Sequence, residues 1–189
     1  MLDSSLGFRP LHRRPTAAPS GADQAGFTLI ELLIVVAIIS IVATLATAGL
    51  LRARMTANET SAIATMKVTL TAQKTYQASC GRGGYATGYL VLGTPLGPGA
   101  AYISSDLGTV AAPQKSGYNF TLGPGAGVAP GPLDCTGLAT ISSFYANGVP
   151  MSSTTGTRRF AVNASGQIWQ TQAGPAPTEP FGPPARPIQ

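Results

Sequence analysis

Leu32 to Leu51 is an unbroken uncharged stretch, LLIVVAIISIVATLATAGLL. About 20 helical residues at 1.5 Å rise match a bilayer hydrocarbon core roughly 30 Å thick. Apolar residues occupy every side of such a helix, so it has no polar stripe to turn toward water. In a chain of 189 residues there is little protein in which to bury it. A membrane span is therefore the first expectation. Composition agrees: only 10% of residues are charged and 44% are hydrophobic, against about 25% charged in an ordinary soluble domain.

The residues before this run have a different character. Residues 1–26 hold Arg9, Arg13 and Arg14 among Pro, Ser, Ala and Gly, with no helix or strand period. They read as a leader. Beyond Leu51 polarity rises while the helical pattern continues: Ile63, Met66 and Leu70 keep the spacing of one buried stripe, and no Pro or Gly interrupts residues 50–79. Gly81, in the run GRGG, is the expected C-cap. The reading is one helix of about 52 residues and on the order of 80 Å, its first half wholly apolar and its second half amphipathic.

Strand signals follow an irregular connection over 81–114. Tyr118-Asn119-Phe120-Thr121-Leu122 alternates in character, Ile141 to Ala146 forms a second candidate, and Arg159–Val162 and Gln167–Gln170 flank the turn Asn163-Ala164-Ser165-Gly166. From Ala173 the tail is so rich in proline that a disordered or extended segment is expected. The predicted fold class is α+β, a long N-terminal helix packed on a small antiparallel sheet. The expected organisation is a leader (1–26), a membrane helix (27–51), an extracytoplasmic domain (52–172) and a Pro-rich tail (173–189).

Chemistry is limited by what the chain lacks. Its one histidine, His12, lies in the leader, which leaves the remainder without an imidazole base or ligand. The seven acids are scattered, with neither a paired-carboxylate nor a calcium-loop spacing. No enzyme activity, cofactor or metal is expected. A net charge of +5 comes from few groups; Arg158-Arg159 is the only basic pair past the leader and reads as a solvated pair rather than a DNA groove.

The decisive residues are at the head of the helix. In a secretory signal peptide the small-residue cleavage site follows the apolar core, whereas here Gly26 precedes it. Gly26-Phe27-Thr28-Leu29-Ile30-Glu31-Leu32-Leu33-Ile34 closely resembles the N-terminus of type IV prepilins and type II secretion pseudopilins. The resemblance implies cleavage between Gly26 and Phe27 by a prepilin peptidase, N-methylation of Phe27, and a filament-assembly role for Glu31. It also implies partners: further copies in a helical filament, assembly-platform proteins, and the inner membrane before export to the periplasm or cell surface. Glu31 has a local reading as well, because Thr28-x-x-Glu31 matches a capping box and the helix dipole favours an acid there.

An exported domain meets an oxidising compartment, so the only two cysteines, Cys80 and Cys135, are expected to form a disulfide. The Asn-x-Ser/Thr triplets at Asn58, Asn119 and Asn163 fit chance occurrence, and Tyr76, Tyr85, Tyr89, Tyr102 and Tyr118 read as packing residues. The leading function is a structural filament subunit. The alternatives are a minor or tip subunit that binds DNA or secreted cargo, and a single-pass membrane protein of unrelated role.

Overall fold

The computed structural model describes residues 26–95 and 99–188; residues 1–25, and so most of the expected leader with His12, lie outside the described residues. Helix α1 runs from Leu29 to Ala78. Thr28 starts it, its Oγ1 accepting the backbone N–H of Glu31 at 3.2 Å. This satisfies one of the donors left open at every helix start. The chain divides into two compact units, Met1–Ala43 and Thr44–Gln189. In the first, Gly26 to Ala43 is exposed throughout.

The second unit pairs the remainder of α1 with a six-stranded antiparallel sheet. After α1 come two short helices, α2 (Tyr89–Gly93) and α3 (Ser105–Gly108), then β1 (Gln114–Lys115), β2 (Tyr118–Pro124), β3 (Pro130–Leu133), β4 (Ala139–Ile141), β5 (Phe144–Pro150), β6 (Arg159–Asn163), β7 (Ile168–Thr171) and β8 (Arg186–Pro187). The large sheet has the order β1-β2-β5-β6-β7-β8, and β3 and β4 form a separate ribbon. The expected hairpin forms as read. Ala161 sits opposite Trp169, Gly166 takes a positive φ of 88°, and the Asn163 Oδ1 accepts both the N–H and the hydroxyl of Ser165. The second candidate strand divides instead: β4 ends at Ile141 and β5 begins at Phe144 and extends to Pro150. Gly148 allows the extension, because a Cβ there would come within 2.8 Å of the Phe120 ring.

Alternation of side chains along the strands gives the sheet two unlike faces. Phe120, Phe144, Ala146, Phe160, Val162 and Ile168 are buried with Ala62, Met66, Ala72 and Tyr76 of α1 in one core. Of the expected helical stripe, Met66 is fully buried while Ile63 and Leu70 are only half-buried at its edge. The deepest line also carries Thr69 and Gln73, both fully buried. Thr69 hydrogen-bonds the Tyr89 hydroxyl at 3.0 Å, and the Gln73 amide both donates to and accepts from the Ala86 backbone at 2.9 Å. Polar residues can occupy the core because each finds a partner.

The opposite face is covered by the Pro-rich tail. Of the disordered or extended segment expected from sequence, the disordered alternative is corrected: residues 173–188 have a fixed path. Phe181 stacks on Trp169 with ring centroids 5.4 Å apart and lies 6.3 Å from the Tyr145 ring. The Tyr145 hydroxyl donates to the Pro177 carbonyl, the Thr171 hydroxyl donates to the Pro175 carbonyl, and β8 pairs with β7. Glu179 accepts from the Ala126 N–H and the Asn163 amide. Proline lowers the entropy lost on ordering, and the sheet supplies aromatic rings and donors that composition alone does not reveal.

The end of α1 also differs from expectation. The helix stops at Ala78, and Arg82 (φ 50°) and Gly83 (φ 96°) take the left-handed conformation rather than Gly81. Gly81 is needed for space. A Cβ there would meet the Gly84 carbonyl at 2.2 Å and the Tyr76 ring at 2.9 Å.

Candidate functional site: the helix N-terminus and the stapled domain

Gly26 and Phe27 lie just ahead of α1, and Glu31 lies in its first turn, four residues after Phe27. Gly26, Phe27 and Thr28 are outside the helix, and Phe27 is 84% exposed. A peptide bond in such a segment is open to an enzyme; one inside a hydrogen-bonded helix is not. Glu31 is exposed, and among the described residues its carboxylate has no hydrogen-bond or ionic partner. Of the capping box, the Thr28 half is made and the return bond from Glu31 is not among the described contacts. The carboxylate is thus not consumed by the chain's own helix end. Among the described residues α1 is the one helix long and apolar enough to cross a membrane.

In the second unit Cys80 and Cys135 are joined in a disulfide, their Cα atoms 4.8 Å apart. The Cys135 N–H donates to the Cys80 carbonyl at 2.9 Å, so the bond staples the end of α1 to the β3–β4 ribbon. Asp134, beside it, is buried. Its Oδ2 accepts the Tyr76 hydroxyl at 2.7 Å, and its Oδ1 accepts the Thr136 hydroxyl, the Thr136 N–H and the Leu138 N–H, each at 2.8 Å. Burial alone pushes its carboxyl up, but these donors outweigh it and hold the pKa at about 2.

A second buried acid ties α1 to the sheet. Glu59 Oε1 accepts the Thr157 N–H at 2.8 Å, the Thr157 hydroxyl at 3.0 Å and the Arg158 N–H at 3.1 Å, while Oε2 accepts Arg158 Nε at 2.7 Å. Arg158 also reaches Gln170 Oε1 at 3.0 Å and lies over the Phe160 ring. Burial pushes the Glu59 carboxyl up, and the Thr157 and Arg158 hydrogen bonds more than reverse this, leaving it below its ordinary value. Arg158 is therefore a structural ion-pair partner rather than half of a solvated basic pair. Sequence reasoning missed Glu59, although it is the one acid on the second half of α1 and falls three and seven residues before Ala62 and Met66 on the buried face.

The three glycosylation-type asparagines are all engaged or partly buried. Asn58 donates to the Thr155 carbonyl, Asn163 holds the hairpin turn and Glu179, and Asn119 has a buried carbonyl oxygen. Among the described residues no group of three or more His, Cys, Asp or Glu is placed to hold a metal.

Residues 21–47 match the family model described as the prokaryotic N-terminal methylation motif. That match covers the leader end and the apolar helix and none of the sheet. No curated protein matches the chain, and no solved structure does. The exposed Gly26-Phe27 segment, the capped helix start and Glu31 all fall inside the matched residues. The chain therefore carries the prokaryotic N-terminal methylation motif, the hallmark of prepilin-like proteins of type IV pili and type II secretion.

Proposed function

We propose that this chain is a structural filament subunit, made as a precursor, cut between Gly26 and Phe27 by a prepilin peptidase and N-methylated on Phe27. It waits as a single-pass inner-membrane protein and then polymerises through α1 into a type IV pilus or a type II secretion-type filament on the periplasmic side or the cell surface. The observation that carries this reading is the unpartnered Glu31 in the first turn of α1, directly ahead of its uncharged apolar run, within the methylation motif. A carboxylate at the edge of apolar surface is unfavourable unless paired. In a filament its partner is the N-terminal amine of Phe27 on a neighbouring copy, and the pair sets the stagger between copies. The folded domain beyond Leu51 then forms the outer surface.

Intact-mass analysis of chain extracted from membranes tests the reading. The expected product lacks residues 1–26 and carries the mass of one added methyl group. A chain cut after Ala48, or left uncut, refutes it.

A further inference from the structure

The first charges beyond the apolar run are Arg52 and Arg54, both exposed on α1. Two residues apart on a helix, they point about 200° from each other, so they flank it rather than form one cluster. Their neighbours one helical turn away are Ala48, Gly49, Met55 and Thr56 for Arg52, and Leu50, Leu51, Ala57 and Asn58 for Arg54, none of them acidic. The remaining acids of the second unit are all engaged elsewhere. Glu59 is turned onto Arg158, Asp106 onto Lys115 at 2.7 Å, Asp134 onto Tyr76 and Thr136, and Glu179 onto Ala126 and Asn163. Two guanidinium groups at the boundary of a membrane span thus lack an anionic partner among the described residues.

We infer that Arg52 and Arg54 form a lipid-binding collar that holds the phosphates of two anionic phospholipids of the outward-facing leaflet while the subunit waits in the membrane. The inference rests on the reading of Leu32–Leu51 as the span. Such a span, about 30 Å long, ends at headgroup level one residue before Arg52. A long arginine stem follows apolar surface while its head stays wet, and the planar guanidinium matches two phosphate oxygens at once. Because the two side chains diverge, they hold separate headgroups. The collar fixes the depth of the helix and gives the subunit a lipid-dependent hold that assembly must release.

The test uses full-length chain purified in detergent and titrated with phosphatidylglycerol or phosphatidylcholine under native mass spectrometry. Each cation at a membrane surface strengthens anionic-lipid binding by roughly fivefold. Arg52→Gln with Arg54→Gln is expected to weaken phosphatidylglycerol binding by about 25-fold and leave phosphatidylcholine binding unchanged. Lys67→Gln with Lys74→Gln, about 22 and 33 Å farther along the helix from Arg52, is expected to stay within about twofold of the native chain. Equal affinity of the native chain for the two lipids, or an equal loss in the lysine pair, overturns the collar. So does duplex DNA or inorganic phosphate competing at the same two arginines, which would make them a general polyanion site. Carbonate washing of native membranes separates the two readings. A carbonate-resistant chain without lipid preference refutes only the collar, and a chain released by carbonate refutes the span and the collar together.

Discussion

Replacing Glu59 by glutamine removes one charge and one acceptor oxygen while keeping the size of the side chain. In the native unit the two carboxylate oxygens accept four hydrogen bonds, and the shortest, at 2.7 Å, comes from Arg158 Nε. The amide oxygen of glutamine can keep part of the Thr157 cluster, but its NH2 group then faces the Arg158 N–H, donor against donor. Hydrogen bonds to charged groups contribute about 1.5–3 kcal/mol and neutral ones about 1, and breaking a buried pair from one side costs about 3–5. The Arg158 side chain is 29% exposed, so water recovers part of the loss. About 3 kcal/mol is the expected destabilisation. For a unit of this size that is a fall in Tm of roughly 6–12 °C, or about 1.5 M in urea midpoint at an m-value near 2 kcal/mol/M. The assay is urea unfolding of detergent-solubilised full chain followed by fluorescence of Trp169, the chain's single tryptophan. A midpoint shift below about 0.3 M would refute the claim that this network ties α1 to the sheet.

Other outcomes are open to measurement. Glu59 and Asp134 both have depressed pKa values, so the native state holds fewer protons than the unfolded one. The stability they give is complete above their unfolded pKa values and is lost as pH falls from about 5 toward 2, read as a falling urea midpoint. At the alkaline end burial raises Tyr89 and Tyr118 to about 12; that contribution is full below pH 10 and disappears as pH rises through about 12. Reducing the Cys80–Cys135 bond, which closes a separation of 55 residues, is expected to cost about 4 kcal/mol, and an unchanged urea midpoint after reduction would contradict this. Glu31→Gln is expected to be cleaved and held in the membrane but to enter filaments poorly, measured as sheared-surface yield against the membrane pool. Normal filament yield from that variant would reduce Glu31 to a helix cap.

What was legible in the sequence was local. The uncharged run, the Thr28 start, the helix reaching nearly to Gly81 and the β6–β7 hairpin each depend on neighbours within a few positions, which composition and periodicity report. The features that escaped depend on distance. Glu59 meets Arg158 across 99 residues, and no spacing rule joins them. The stripe read from Ile63, Met66 and Leu70 leaves out Thr69 and Gln73, which are polar yet buried, made acceptable by Tyr89 and by the Ala86 backbone. The tail misled for a similar reason. Proline content describes the segment alone, whereas Phe181 is fixed by Trp169 and Tyr145 on strands it does not adjoin. At the candidate site Gly26, Phe27 and Glu31 were readable because their spacing in sequence is itself the signal.

The six-stranded sheet finishes at both ends in a strand of only two residues, β1 on one side and β8, with Pro187, on the other. Long open edges invite strand addition and amyloid-like growth, and short or proline-bearing ones do not. Proteins stored side by side in a membrane are crowded enough for that hazard to matter. With end strands this short, the sheet offers a neighbour little regular backbone ladder to extend. In the filament proposed above, association between copies would then be left to side chains and to α1, where it can be reversed without unfolding the domain.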